Sequence, residues 1–383
     1  MRNTTRSKSA RLLLALPLVA VGAVSACGGD DGGSAGESGG EGVLSDACPA
    51  NMVIQTDWFP ESEHGALYQM LGEDYSVDVA KKVVSGTLID SSGNDTGITL
   101  EVRTGGPAIG FQPVSATMAA DESITMGYAA TDDQAFSYGD IPLLAVVAPL
   151  EINPQIIMWD PETYPDVETI ADLGEQGITM NVFAGGTYLE VFKAEGVVSE
   201  DQIDPSYDGG PSRFISEGGK IAQQGFASAE PWQYKNEFTE WGKDVKYQLI
   251  HDAGFEIYAA TLAIRQADKE ALSDCLKLFV PIVQQAAIDF VNSPDRANAI
   301  IIDAVEQYAD FWVYGEGVAA YSVETQKELG LVGNGPNDTL GDFDFDRANA
   351  ALQKMKDAGL DVPADLTAED MYTNEFINPE IGL

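Results

Sequence analysis

DWFPESEHG, Asp57 to Gly65, is the stretch on which the reading of this chain turns. It follows the apolar run Met52, Val53 and Ile54, which reads as a short buried strand, and it precedes a helical pattern that opens near Ala66. Ligands of α/β proteins gather in the loops that leave the carboxyl ends of strands, so a strand-to-helix junction of this content is a candidate binding loop. Asp57, Trp58, Phe59 and His64 put stacking surface and hydrogen-bonding groups into one short segment. The same residues would also serve an ordinary strand end turned by Pro60.

Upstream, Arg2, Arg6, Lys8 and Arg11 precede an apolar run from Leu12 to Val24 that ends in Ser25 and Ala26 before Cys27. That pattern, residues 1–26, reads as a secretory signal peptide, too short and wrongly flanked for a spanning helix. VSAC followed by Gly28 resembles the bacterial lipobox, which implies acylation of Cys27 and a mature chain anchored to the cell membrane on its extracytoplasmic side. Residues 27–47 are rich in Gly, Ser and acidic residues and are expected to form a flexible tether.

Composition narrows the partners. A formal charge of −40 becomes more negative once the four basic residues of the leader are removed, which makes nucleic acid and anionic lipid poor partners. An anionic ligand would need a strongly local trap against that field. Cys48 and Cys275, in an oxidising compartment, are candidates for a disulfide. No CxxC or HxxxH spacing occurs, so neither a metal nor another cofactor is expected.

Strand-like and helix-like segments alternate, which favours α/β. After the opening strand, a helical pattern covers Ala66 to Gly72 and is expected to resume from Val77 to Val84. Strands follow at Ile98–Arg103, ending in the TGGP turn with Thr104 and Gly105, and at Ile124–Tyr128, running into Thr131, Asp132 and Asp133. Leu143–Pro149 and Gln155–Trp159 read as a crossing into a second lobe. There a strand at Ile178–Phe183 meets a glycine turn and a helix carrying Gly186, Thr187, Tyr188 and Glu190. Ile221–Phe226 leads to a helix near Pro231 with Glu230 and Trp232, and Lys246–Arg265 makes the return crossing. From Lys269 onward the pattern is helical. The expected organisation is one lobe from residues 48–147 and 256–383 and a second from 148–255.

DWFPESEHGALYQMLGE resembles the opening of the NMT1/THI5-like solute-binding proteins of ABC importers, and TNEFI, Thr373 to Ile377, is similar to a sequence near that family's C-terminus. The arrangement between them is similar over residues 51–378, except that the segment from Val77 to Val102 is longer than the family's usual link, leaving the register of 76–103 open. The resemblance implies a type II periplasmic-binding-protein fold, two lobes joined by two hinge crossings that close over a small solute and dock on an ABC permease. A monomer is expected. It further implies a flat heterocycle of the thiamine-pyrimidine-precursor kind, held by Asp57, Trp58 and His64 from one lobe and Glu190, Glu230 and Trp232 from the other. Phe59, Thr104, Gly105, Tyr128, Thr131, Asp132, Gly186, Thr187 and Tyr188 complete the expected site. Sulfonate or nitrate is the alternative within the family, for which Arg103 and Arg213 are the available cations. A pyrimidine synthase is the enzymatic alternative, and the chain lacks that enzyme's cysteine cluster. It also lacks GxSxG and HExxH and has only two histidines, His64 and His251, which disfavours a hydrolase. A surface adhesion module would explain the anchor but not the two crossings.

Overall fold

The computed structural model describes residues 42–383. The expected leader, Cys27 and most of the tether lie outside the described residues. The folded body starts earlier than the expected tether end. Leu44 is fully buried, and its backbone N–H donates to the Thr96 carbonyl at 2.9 Å, because this leucine is large enough to anchor the segment in the core.

The architecture is α/β with two sheets, as the alternation of segments predicts. The first sheet has the order β2-β3-β4-β1-β5-β12-β6. Its strands are β1 (Asn51–Gln55), β2 (Ser76–Asp78), β3 (Val83–Ile89), β4 (Asp95–Arg103), β5 (Met126–Ala129), β6 (Leu143–Val147) and β12 (Thr261–Arg265). The second sheet has the order β11-β7-β10-β8-β9, from β7 (Gln155–Trp159), β8 (Met180–Asn181), β9 (Ile203–Asp204), β10 (Ala222–Phe226) and β11 (Lys246–Leu249). The chain therefore passes between sheets twice, between β6 and β7 and again between β11 and β12.

The opening strand lies inside its sheet, flanked by parallel β4 and β5, with Ile54 opposite both Val102 and Met126. Parallel strands covered on both faces read as continuous apolar runs rather than alternating ones. Met52 and Ile54 point into one core with Leu276, Phe279 and Val283 of the helix Lys269–Asn292, while Val53 points the other way, towards Val114 and Met118. That helix is long and apolar enough to cross a membrane by composition, but much of its apolar surface is packed on the first sheet. Cys275 on it is joined to Cys48 by a disulfide that closes a separation of 227 residues.

The expected helix at Val77–Val84 is not present; the segment is β2 and the start of β3. Val83, Val84 and Thr87 are β-branched and suit a pleated surface. Pairing with β4, in the register Val84 opposite Val102, gives them partners that a short isolated helix would lack. The sequence reading also omitted the helices Val114–Ala120 and Thr131–Ser137; the second begins where a strand-end loop was expected.

The two crossings are tied by one side chain. Arg347, on the helix Phe345–Asp357, donates Nη1 to Glu151 Oε1 at 2.6 Å and Nη2 to the Glu151 carbonyl at 2.7 Å on the first crossing. It also donates Nε to the Glu256 carbonyl at 3.0 Å and Nη2 to the Ile257 carbonyl at 3.2 Å on the second. Its guanidinium sits 4.2 Å from the Tyr258 ring centroid, and the salt bridge is largely shielded from solvent.

Candidate functional site

The carboxyl end of β1 opens on a cleft bounded by residues from both sheets. Its first compartment, about 220 Å³, is lined by Asp57, Trp58, Glu61 and Trp312 from the first-sheet side. Phe183, Tyr207, Gln224, Phe226 and Glu230 face them from the second. The adjoining compartment, about 200 Å³, shares Asp57, Glu61 and Phe226 and adds Glu63, His64, Asp132, Asn153 and Gln155. One end is walled by aromatic rings and the other is polar.

The backbone of the opening loop is held on both sides. The Trp58 carbonyl accepts from Thr56 Oγ1 at 2.9 Å and from the Gly105 N–H at 2.9 Å, and the Asp57 carbonyl accepts from the Gly106 N–H at 2.8 Å. Gly106 has φ +56°, and a Cβ there would fall 2.6 Å from the Trp58 ring, so the TGGP turn must carry glycine to let the indole lie against it. Trp58 then meets Phe183 at 6.0 Å and Trp312 edge-on at 6.1 Å, while Phe183 meets Tyr207 at 4.8 Å. At the mouth, Phe111 (φ +58°) is exposed and 6.0 Å from Trp58.

The two sides touch beyond the rings. Ser228, just after β10, donates its hydroxyl to Glu63, and Gln233 Nε2 donates to the Val313 carbonyl at 3.2 Å. Glu230 accepts the Phe226 N–H at 2.7 Å and, more weakly, the Tyr207 hydroxyl at 3.4 Å. Asp57 accepts from His64 Nε2 at 2.7 Å, leaving the buried Nδ1 without a partner among the described residues. Glu61 differs from all of these. It is 8 % exposed, it lines both compartments, and its carboxylate has neither a hydrogen-bond donor nor a counter-ion among the described residues. Burial first, then the charges of Glu63, Asp57 and Glu230, push its carboxyl well above the usual range. Burial likewise raises Glu63, and raises Glu230 to about 7. Among the described residues no Lys or Arg lines either compartment.

Of the residues expected from sequence, Asp57, Trp58, His64, Asp132 and Glu230 line the cleft. The others lie elsewhere, for identifiable reasons. Phe59 is buried one layer back, stacked on Trp312. Thr104 is buried with its hydroxyl towards Tyr308, and Gly105 serves as the donor to Trp58 just described. Tyr128 lies in the core under the His64 ring, 5.1 Å away. Thr131 bonds the Tyr258 carbonyl and the Tyr372 hydroxyl near the second crossing. Gly186 and Thr187 begin their helix outside the lining. Tyr188 stands behind the wall, donating to Gln224 Oε1 at 3.0 Å. Glu190 points to solvent and pairs with Lys193 at 2.8 Å. Trp232 packs on Gly317, where a Cβ would come within 2.2 Å of its ring. The candidate anion-binding cations are also engaged elsewhere, Arg103 with Glu101 and Asp121 and Arg213 with Asp204.

Sequence reasoning missed Glu61, although it lies in the opening stretch, and Phe183, which directly precedes the glycine turn. It also missed Tyr207, Gln224 and Trp312, which carry no local signal of their own.

Two α/β lobes face each other across this cleft. No family model matches the chain, and no curated protein matches it. Solved structures do. A protein of Bordetella bronchiseptica RB50 aligns at 15% identity over 86% of this chain and 96% of its own, with a TM-score of 0.53. The periplasmic aliphatic sulphonate binding protein SsuA of Escherichia coli aligns at 13% identity over 81% and 86%, TM-score 0.51. The alkanesulfonate-binding protein SsuA of Xanthomonas axonopodis pv. citri, bound to MOPS, aligns at 15% identity over 85% and 98%, TM-score 0.51. The fold is that of the type II periplasmic binding proteins.

Proposed function

We propose that this chain is the extracytoplasmic solute-binding component of an ABC importer, without catalytic activity. It takes a small flat heterocycle of the aminopyrimidine kind between its lobes and delivers it to a membrane permease. On the same reading Cys27 carries the lipid that keeps the protein, a monomer, at the cell membrane, and lobe 1 comprises residues 48–147 and 256–383. The observation that carries the reading is the cleft itself: rings from both lobes line a space too small for a polymer, beside carboxyl groups whose raised pKa favours the protonated form, able to accept from an amino group and donate to a ring nitrogen.

The sulfonate specificity named for two of the aligned structures is the alternative. Against it stand the carboxylates in this cleft, the lack of a lining cation among the described residues, and the overall negative charge. A thermal-shift and tryptophan-fluorescence titration with aminopyrimidines, taurine and nitrate tests the reading. A ligand selective for the native state raises the melting temperature by mass action. The expected result is a concentration-dependent rise with an aminopyrimidine and none with the two anions; turnover of a bound solute, or a response to taurine alone, would overturn it.

A further inference from the structure

Resting on the reading of this cleft as a solute site, we propose that the solute carries a positive charge: a small organic cation whose charged nitrogen lies against Glu61, with its apolar body between Trp58, Phe183 and Trp312. A buried carboxylate ordinarily has a partner, because leaving it alone costs far more than the pair would contribute. Glu61 faces the cavity from both compartments with no partner among the described residues, and the nearby Glu63, Asp57 and Glu230 offer only like charge.

The three possible charge classes have different consequences. An anion would add a repulsive charge to an acidic site. A neutral ring would fill the aromatic end and shut out water, and at most a neutral N–H would reach Glu61, leaving its charge without a counter-ion. A cation supplies the missing partner, can sit over the indole faces, and is drawn in by the field of the whole protein. The charge belongs on an extended organic molecule rather than a metal ion, because no group of three or more His, Cys, Asp or Glu among the described residues is placed to hold a metal. The rings at the other compartment require an apolar body attached to the charge.

A charge series on one ring decides the matter: benzamidine, benzyl alcohol and benzenesulfonate, with calcium chloride and a neutral aminopyrimidine as further arms, titrated by calorimetry into the purified protein. Benzamidine is expected to bind at least about tenfold more tightly than benzyl alcohol, and benzenesulfonate not at all. Glu61→Gln is expected to lose at least about tenfold in benzamidine affinity and to change benzyl alcohol affinity by a smaller factor. Should the variant misfold, the series on the unaltered protein still discriminates. Equal binding of the neutral or anionic ring, a calcium response matching that of benzamidine, or an unaffected Glu61→Gln variant overturns the charge assignment. If the aminopyrimidine binds and benzamidine does not, only the charge assignment fails; if nothing binds, the solute-site reading fails with it.

Discussion

Glu151 at the crossings and Glu61 in the cleft are both carboxylates largely withdrawn from water, and the fold treats them in opposite ways. Burial pushes Glu151 up, to about 7, while Arg347 at 2.6 Å pulls against that shift. Burial also raises Glu61, but there every neighbouring charge pushes in the same direction. At the crossings the desolvation of a carboxylate is partly offset from within the chain. In the cleft it is left unmet, which is the condition expected of a group whose partner arrives from outside.

Four experiments break or sharpen that contrast, beginning with the largest effect. Arg347→Met should destabilise the protein by roughly 3–5 kcal/mol in chemical denaturation, because it strands a buried carboxylate and frees carbonyls on both crossings. A loss comparable to that of a surface substitution would show that the crossings do not depend on the pair.

The second concerns pH. Glu230 is raised from an ordinary 4.5 to about 7, so between those values the folded state holds a proton that the unfolded chain has released. Its contribution therefore favours the folded state at the acidic end and is lost as pH rises through 7, a difference of about 3 kcal/mol in total. Glu230→Gln should be more stable relative to the parent at pH 8 than at pH 4.5, and parallel melting profiles across that range would contradict the assignment.

Third, Trp58→Ala should weaken solute binding by about 1–3 kcal/mol, read as a rise in Kd, if the indole forms one wall of the occupied cleft. Last, Glu190→Ala should change stability by no more than about 0.5 kcal/mol, since the Glu190 side chain is about half exposed and pairs with Lys193 at the surface. It should leave solute affinity untouched, and any measurable weakening would return Glu190 to the site.

The position of Glu190 outside the lining has a geometric cause. A glycine turn before a helix marks a strand's end, but the residues that reach the cleft here are Phe183 before the turn and Gln224 on β10, while the helix Thr187–Ala194 turns Glu190 towards solvent. Periodicity locates a helix without deciding which of its faces meets a second lobe. Trp232 stands outside the lining for a similar reason: it follows the strand that borders the cleft but packs against Gly317, whose identity as its neighbour no local pattern encodes.

Local order was legible because it is written in near neighbours. The continuous apolar run of β1, the TGGP turn at the end of its strand, the crossings and the alternation of strand and helix depend on residues within a few positions of one another, so the amino-acid order determined the fold class and the opening loop. The arrangement of the cleft is set at longer range. Phe183 comes to Trp58, and Glu230 comes near Glu61, only when two sheets fold towards each other across the crossings. Whether a glutamate is paired depends on that packing and on which charges it brings together. The sequence could name the carboxylates, but only the tertiary structure decided that Glu151 received an arginine and Glu61 did not.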